Sequence, residues 1–453
     1  MPQISPETRD TARQRVPIAF VTRLAVALVF AALCSSAALA REEAGAPPVS
    51  TSAHVDLVLD QTRLVFDLSS PVDADAFVMV DPDRVIVDLP EVNFQLDPRA
   101  GQTQPRTRGR KGAPAPKATT GVISSYRFGL FAPGKSRIVI DLAKPARVVR
   151  ATTEAGPDGR HRLQIDLAPV DAATFRRTAR AVVRDLPVDR PAATMPEATA
   201  AADARPLVVI DPGHGGIDSG AQGIGSVIEK TLVFDFSKIL EGQLKESGKY
   251  RVLLTRNADV FVSLADRVKF ARDANAALFI SIHADTISEA AGVSGATVYT
   301  VSDKASDAQA AKLAEKENDA DSAAGLGGTE DGADVSDILF DLTRRETRAY
   351  SHVFARSLVN YWSQAGRLNK NPMRSAGFLV LKAPDVPSVL LELGYLSSEK
   401  DIAALMKPQW REKAAGAIAE AIDKFFAPRI GAGEAATERA PDGVAAAKSE
   451  QQR

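Results

Sequence analysis

The sequence predicts two fold classes in succession: a small all-β domain of two similar sheets, then a larger α/β domain whose largely parallel, twisted sheet is flanked by helices. Residues 51–168 contain short runs rich in Val, Ile, Leu and Phe, and several of these alternate apolar and polar side chains as half-buried strands do. Residues 206–428 instead alternate apolar runs with longer amphipathic patterns, which is typical of parallel strands joined by helices.

Composition sets the limits for these domains. The chain has 453 residues, of which 45% are apolar and 25% charged, so it has material for two to three packed cores. Its formal net charge is −1, which argues against a general affinity for nucleic acid, and we expect no nucleic-acid partner. We expect a monomer.

Residues 1–40 are predicted to be a signal peptide. Several arginines precede the apolar run Leu24–Leu33, and Ala38-Leu39-Ala40 has the A-x-A pattern of a cleavage site. No later segment approaches the ~20 apolar residues that a membrane span needs. The mature chain is therefore expected to be exported and to lack a transmembrane segment.

The β-domain contains an internal repeat. Arg63–Pro71 (RLVFDLSSP) matches Arg137–Pro145 (RIVIDLAKP), and each is followed by a second R-x-x-x-D-L strand, which begins at Arg84 in the first copy and at Arg162 in the second. Such a duplication predicts two similar sheets.

The α/β domain is predicted to follow a flexible linker at 169–205, which is rich in Ala, Pro and Arg. The tail at 429–453 is small, polar and charged, and is predicted to be disordered. Between them we predict strands over Leu207–Ile210, Arg251–Thr255, Ala277–His283, Ala296–Val301, Phe378–Lys382 and Ser388–Glu392.

Four polar side chains stand at the ends of these predicted elements. His214 follows the first strand, His283 closes the third, Glu392 ends the last, and Glu229 begins a helix. Strand ends of an open α/β sheet converge on one site. Two imidazoles and one carboxylate form a recurrent catalytic zinc set, and a further carboxylate, for which Glu392 is the natural candidate, is needed to carry the proton. Reasoning from the residues thus ends at a zinc-activated water that attacks an amide.

Each of these residues also has a purely structural interpretation. His214 fits an ordinary turn, His283 a core histidine, Glu229 an acid at a helix N-terminus, and Glu392 an ion pair with a nearby lysine or arginine. Four such coincidences at element ends are less probable than one site.

The motifs around these residues, taken together, resemble those of the zinc-dependent N-acetylmuramoyl-L-alanine amidases of the cell-division type. The resemblance runs in order over residues 207–426, and the β-domain is similar to the AMIN domain that targets such enzymes to the septal wall. The motifs are Asp211–Gly216, Glu229–Lys230, Leu254–Arg256, Ser281–Asp285 and Leu391–Ser397.

This resemblance implies roles for the four residues. The zinc ligands would be His214, Glu229 and His283, and the catalytic glutamate would be Glu392. The implied reaction is hydrolysis of the amide between N-acetylmuramic acid and L-alanine in peptidoglycan, in the periplasm. The sequence departs from the common pattern at Asp285 and at Ser398, where asparagine is frequent.

An insertion at 303–345 separates the fourth predicted strand from a helix predicted over Ser351–Trp362. Its first half reads as an Ala-rich helix, and its second half has Ser336 as a candidate N-cap before an apolar cluster at 338–342. The insertion either packs on the surface of its own domain or, as the resemblance suggests, contains an autoinhibitory helix. In the second case, Glu315 or Glu317 would reach the open coordination position of the zinc. By resemblance, a LytM-type activator would withdraw the helix.

Two other functions stay open at this point. A zinc peptidase that cuts elsewhere in the stem peptide would share the metal chemistry. A non-catalytic wall-binding scaffold of cell division would share the fold, although such a protein has no physical reason to keep all four residues.

Overall fold

The computed structural model describes the following residues: 46–102, 121–156, 158–179, 203–287, 293–326 and 338–437. Side chains are described within these ranges except at 338–342 and 428–437. The predicted signal peptide, most of the predicted linker and the tail beyond 437 lie outside the described residues.

The β-domain forms two antiparallel sheets that share one core. The first has the strand order β5-β1-β2-β9-β8 and the second has the order β3-β4-β7-β6. Alternate side chains such as Phe66 and Ile138 point between the sheets, where they are fully buried. The strands are β1 (Val49–Val58), β2 (Gln61–Leu68), β3 (Asp75–Met79), β4 (Arg84–Pro90), β5 (Asn93–Phe94), β6 (Ile123–Ala132), β7 (Lys135–Leu142), β8 (Ala146–Ala155) and β9 (His161–Pro169).

Each sheet takes one strand from each copy of the sequence repeat. β2 pairs with β9 in the first sheet, and β4 pairs with β7 in the second. The register sets Arg63 opposite Asp166, and in the same way Arg84 opposite Asp141. The prediction of an all-β domain with two similar sheets is confirmed.

The α/β domain is built on one mixed sheet in the order β11-β10-β12-β15-β13-β14. Neighbouring strands are parallel except β13, which is antiparallel to β15. The strands are β10 (Leu207–Pro212), β11 (Arg251–Leu254), β12 (Leu278–His283), β13 (Ala296–Val301), β14 (Leu368–Ala376) and β15 (Ser388–Glu392). The helices of the whole described chain are α1 (Ala172–Thr178), α2 (Glu229–Glu246), α3 (Leu264–Asp273), α4 (Ala308–Asn318), α5 (Ala320–Ala323), α6 (Ile338–Ala365), α7 (Glu399–Leu405) and α8 (Pro408–Thr437).

Helices cover both faces of this sheet. Helix α2 buries Leu232, Phe236, Leu240 and Leu244, whose spacing places them on one helical stripe against the strands. Helices α6 and α8 pack into the same core, while α3 and α4 contribute to a second core on the opposite face. None of the helices in the described ranges is long and apolar enough to cross a membrane.

One predicted strand is wrong. The apolar stretch predicted as a strand over Phe378–Lys382 forms a short 3₁₀ helix at Leu379–Leu381. Phe378 and Leu381 are fully buried in the core, and an apolar run of that length does not distinguish a buried turn from a buried strand. The edge strand of the sheet is instead β14, whose polar sequence, interrupted by Pro372, gave no strand signal.

Three helix boundaries also differ from the prediction. Helix α1 lies inside the predicted linker, where Asp171 caps it by accepting a hydrogen bond from the Thr174 amide (2.9 Å). Helix α8 continues to Thr437, into the predicted tail. Helix α6 begins at Ile338 rather than at residue 351, and the proposed cap Ser336 lies outside the described residues.

Candidate metal centre

The four predicted site residues come together at the carboxyl edge of the sheet. His283 and Glu392 are register partners at the ends of β12 and β15. β10 pairs with the other side of β12 as far as Pro212, two residues before His214. Glu229 begins α2 directly beneath this edge, and all four side chains are buried.

The glycines beside His214 are required by its close packing. A Cβ atom at Gly213 would lie 2.6 Å from two atoms of the His283 ring, which leaves room only for glycine. His214 has a φ of +58°, followed by +129° at Gly215 and +57° at Gly216, so the chain stays in left-handed backbone conformations over three residues. This turn places the two imidazole rings 4.9 Å apart between their centroids.

Two buried arginines hold the backbone of this turn. Arg267 donates to the Asp211 carboxylate (2.6 Å) and to the carbonyl of His214 (2.8 Å). Arg256 donates to the carbonyls of Pro212 and Gly213, both at 3.0 Å. The guanidinium groups therefore satisfy carbonyls that the left-handed turn leaves without strand partners.

Two glutamate oxygens lie close to the same two imidazole nitrogens, and His214, His283 and Glu317 form a group that could hold a metal ion. Glu229 Oε1 lies 3.2 Å from His214 Nε2 and 3.3 Å from His283 Nδ1. Glu317 Oε2 lies 3.5 Å and 3.3 Å from the same two nitrogens. A tetrahedral zinc ion with bonds of about 2.0–2.1 Å separates its ligand atoms by about 3.3–3.4 Å. The four nitrogen–oxygen distances fit the ligand spacing of a tetrahedral cation.

The two imidazole nitrogens at this centre have no hydrogen bonds to the described part of the chain, whereas Glu229 Oε1 accepts one from the Ala284 amide (2.8 Å). Both His214 Nε2 and His283 Nδ1 are buried and lack a hydrogen-bond partner among the described residues. The other ring nitrogen of His214 lies 2.8 Å from the Asp218 carboxylate, which fixes the ring so that Nε2 faces the centre. Buried polar atoms are normally paired, so this donor set fits a bound cation.

The comparisons with known proteins agree with this geometry. Residues 208–424 match a family model described as N-acetylmuramoyl-L-alanine amidase, and residues 55–167 match the AMIN domain. The N-acetylmuramoyl-L-alanine amidase AmiC of Escherichia coli O6:H1 is 31% identical over 81% of this chain and 87% of its own length. This chain belongs to the N-acetylmuramoyl-L-alanine amidase family.

Other relatives of this amidase have the same description. AmiC of Neisseria meningitidis serogroup B is 30% identical over 84% of this chain and 90% of its own length. The solved catalytic domain of CwlV, an amidase from Paenibacillus polymyxa var. colistinus, is 29% identical with a TM-score of 0.37, over 49% of this chain and 98% of that one. The predicted family, enzyme class and peptidoglycan substrate are confirmed.

Two carboxylates of the amidase have opposite electrostatic environments. Burial disfavours the charged form of Glu229, but His214 and His283 outweigh it and hold the pKa of Glu229 well below its usual range. Burial raises the pKa of Glu392 well above its usual range, and the nearby acids Glu229 and Asp285 raise it further. Because their pKa values are shifted in opposite directions, Glu229 is suited to stay ionised and Glu392 to carry a proton.

Glu392 is anchored at only one of its oxygens. Its Oε2 accepts a hydrogen bond from the Asp285 amide (2.9 Å), while Oε1 is buried and has no hydrogen-bond partner among the described residues. The sequence allowed an ion pair between Glu392 and an arginine such as Arg256, but Arg256 donates to backbone carbonyls instead. One carboxylate oxygen is thus fixed and the other is available to a reacting group.

The insertion brings Glu317, and not Glu315, to the candidate metal centre. Helix α4 buries Ala310, Leu313 and Ala314 on the same stripe as Glu317, whereas Glu315 is exposed. Burial raises the pKa of Glu317, and the two histidines act in the opposite direction. Of the two candidates from the sequence, only Glu317 faces the imidazole nitrogens.

Two neighbours of Glu317 fix α4 in this position. Lys316 forms an ion pair with the Asp285 carboxylate. Asn318 donates to the Gly377 carbonyl (2.9 Å) and accepts from the Leu379 amide (2.8 Å). The departure from the family pattern at Asp285 therefore provides a charged partner for the insertion.

Sequence reasoning missed Asp218 and Arg267. Asp218 lies four residues after His214 in the same turn, and a carboxylate at that distance is a signal that could have been used. Arg267 lies on α3, and nothing in its local sequence points to the turn. The other departure, Ser398, caps α7 through the Asp401 amide (3.3 Å), a role that asparagine also performs.

Proposed function

We propose that this amidase is zinc-dependent and autoinhibited. His214 Nε2, Glu229 Oε1 and His283 Nδ1 would hold the ion, and Glu317 would block access to it. The observation that carries this proposal is the spacing of 3.2–3.5 Å between the two unpartnered imidazole nitrogens and the two glutamate oxygens.

A bound zinc ion supplies Lewis-acid activation of a water molecule and of the substrate carbonyl. Among the side chains of the protein, Glu392 is the group that accepts and donates the proton. Its unpartnered Oε1 accepts a proton from the attacking water and returns it to the amine of L-alanine as the amide bond breaks. The raised pKa of Glu392 suits both steps, and the hydrogen bond from the Asp285 amide keeps the carboxylate oriented.

The closed arrangement follows from the contacts of α4. Glu317 is buried between the two histidines, and the Lys316–Asp285 ion pair and the Asn318 hydrogen bonds hold the helix on either side of it. Substrate cannot enter until α4 leaves. Withdrawal by a partner that binds the open state would shift the equilibrium and start hydrolysis.

The cellular role is proposed from the resemblance and the relatives. We propose export to the periplasm, targeting to the septal wall by the AMIN domain, and release of α4 by a LytM-type activator. The apolar cluster at 338–342, suggested as the activator's docking surface, has no described side chains.

The test is mass spectrometry of purified peptidoglycan incubated with zinc-loaded mature protein. Glu317→Ala is expected to release free stem peptides and leave peptide-free glycan strands, on the order of tenfold or more faster than the wild type. Glu315→Ala, a change on the exposed face of the same helix, is the matched control and should match the wild type.

A further change, Glu392→Gln in the Glu317→Ala background, should reduce release on the order of a thousandfold because the proton carrier is lost. Products cut within the stem peptide would identify a peptidase instead. Failure of the metal-loaded Glu317→Ala variant to cleave at all would support a binding protein.

A further inference from the structure

The second sheet of the AMIN domain is covered by the catalytic domain and the insertion. Ile86 of β4 and Val139 of β7 lie on its outer face and are fully buried. They belong to one apolar cluster with Ala324 and Leu326 of the insertion and Phe261 of the catalytic domain. This cluster joins three separate parts of the chain.

Two arginines of this sheet donate hydrogen bonds to residues 322–325 of the insertion. These residues follow α4, the helix that carries Glu317. Arg84 donates to the backbone carbonyl and the hydroxyl of Ser322. Arg137 donates to the carbonyls of Ala324 (3.2 Å) and Gly325 (3.3 Å). Ser322 lies in the single turn of α5, and Ala324 and Gly325 follow that helix, where a helix end exposes backbone carbonyls and favours cations.

The same sheet contacts the turn that carries His214. The Ile217 amide donates to the Leu130 carbonyl of β6 (3.2 Å), and the Phe131 ring stacks on Phe261 at 5.8 Å with an interplanar angle of 12°. A Cβ atom at Gly216 would lie 1.9 Å from the Leu130 carbonyl oxygen. The second AMIN sheet therefore contacts both the turn that contains His214 and the end of residues 308–325. These residues of the insertion, which include Glu317, are called the blocking segment.

We propose that the second AMIN sheet is the docking surface for the blocking segment, and that its hold on Ser322–Gly325 keeps Glu317 in the metal centre. This inference rests on the proposed autoinhibition. Removing the sheet takes away donors and apolar contacts that exist only in the closed state, so the equilibrium moves toward the open site. A wall component or partner protein that separates the sheet from the insertion would activate the enzyme without touching α4.

The sequence repeat provides matched controls for this proposal. Arg63 and Arg162 of the first sheet occupy the repeat positions of Arg137 and Arg84, and they pair with Asp166 and Asp67 inside the AMIN domain. The hydrogen bonds and ion pairs of both arginines are made to aspartates of that domain. Replacing them breaks the same kind of arginine–aspartate pair without a contact to the insertion.

The first experiment measures stem-peptide release from peptidoglycan by the full mature chain without an activator. Arg84→Ala/Arg137→Ala is expected to raise the rate about tenfold, because charge-assisted hydrogen bonds to the insertion are lost. Arg63→Ala/Arg162→Ala should stay within about twofold of the wild type. Glu317→Ala gives the rate of the fully released site.

A second variant tests the contact from the insertion side and leaves the AMIN domain intact. Ala324→Asp places a charge in the apolar cluster and should raise the rate to a similar extent, whereas Ala311→Asp on the exposed face of α4 should not. Hydrogen–deuterium exchange over 308–325 should accelerate in the Ala324→Asp and Arg84→Ala/Arg137→Ala variants, and not in Ala311→Asp or Arg63→Ala/Arg162→Ala.

The outcomes separate this proposal from the proposed function. A rise in rate with Glu317→Ala and none with either docking variant would leave autoinhibition standing and overturn the role of the sheet. No rise with Glu317→Ala would overturn autoinhibition, and the docking proposal with it.

Discussion

The two sheets of the AMIN domain carry the same arginine–aspartate pattern in different surroundings. In the first sheet the side chains of Arg63 and Arg162 are 26% and 32% exposed, whereas in the second those of Arg84 and Arg137 are 7% and 2% exposed. In both sheets each arginine pairs with the aspartate opposite it. Local sequence sets the pairing, and the tertiary neighbours decide whether the arginine also binds another part of the chain.

The outer faces of the sheets differ at one position of the repeat. Gln164 of the first sheet corresponds to Ile86 of the second. Gln164 bonds to the polar side chains of Arg150 (2.9 Å) and Glu154 (3.0 Å), while Ile86 is buried against the insertion near Gly325. An apolar residue in place of a polar one marks the face that is covered.

A large expected difference between the sheets comes from the loss of one arginine. Arg137→Ala should lower the free energy of unfolding by about 2 kcal/mol, because a buried guanidinium is lost and the carbonyls of Ala324 and Gly325 lose their donor. Arg63→Ala, at a partly exposed pair, should cost about 1 kcal/mol or less. Urea unfolding of the mature chain measures both, and equal losses would remove the distinction between the sheets.

Exchanging the residues that differ sharpens the comparison. Ile86→Gln should destabilise the docked arrangement by about 2 kcal/mol, since the amide would be buried without partners. Gln164→Ile, the reverse change on the exposed sheet, should stay within about 0.5 kcal/mol. Thermal unfolding monitored by circular dichroism gives both values, and a similar loss in the two variants would contradict a specific role for the covered face.

A smaller effect, which depends on pH, is expected from Asp321 on the insertion side of the interface. Burial raises the pKa of Asp321 to about 6, against the opposing effects of the Leu264 amide and Arg267, with Asp266 and Asp218 adding to the rise. The docked state therefore binds a proton more tightly than the undocked one, so docking is strongest at low pH and weakens as pH rises toward and through 6.

Asp321→Asn removes the cost of burying a charged carboxylate in the docked state. It keeps an oxygen that can accept the hydrogen bond from the Leu264 amide, which Asp321 accepts at 3.0 Å in the wild type. At pH 7.5 we expect a basal rate severalfold below that of the wild type, because the neutral side chain favours docking. The difference should shrink toward pH 5, where the wild-type group is largely protonated. A rate ratio that does not change with pH would exclude Asp321 as the titrating group.

Much of the site could be predicted because its residues stand at element ends. Parallel strands bring their carboxyl ends to one edge, so His214, His283 and Glu392 converge whatever the details of packing. The preference for Glu317 over Glu315 was also within reach: Ala310, Leu313, Ala314 and Glu317 share helical spacing, and an acid on an apolar stripe faces inward.

The docking of the second AMIN sheet could not be predicted from the repeat. Arg84 and Arg137 lie in the same local pattern as their exposed counterparts, and the carbonyls they bind are more than 180 residues away in the chain. The wrong strand at Phe378–Lys382 has a related cause, because burial alone made that stretch apolar. Long-range partners, rather than local propensity, decided both features.

The central claim is that Glu317 occupies a position of the metal centre, and zinc affinity tests it most directly. Competition with a chelating indicator gives the zinc dissociation constant of the mature chain and of its Glu317→Ala and Glu315→Ala variants. Loss of a ligand oxygen predicts that Glu317→Ala binds zinc at least about tenfold more weakly, even though it hydrolyses peptidoglycan faster when loaded, and that Glu315→Ala is unchanged. Equal zinc affinity in all three proteins would contradict the claim.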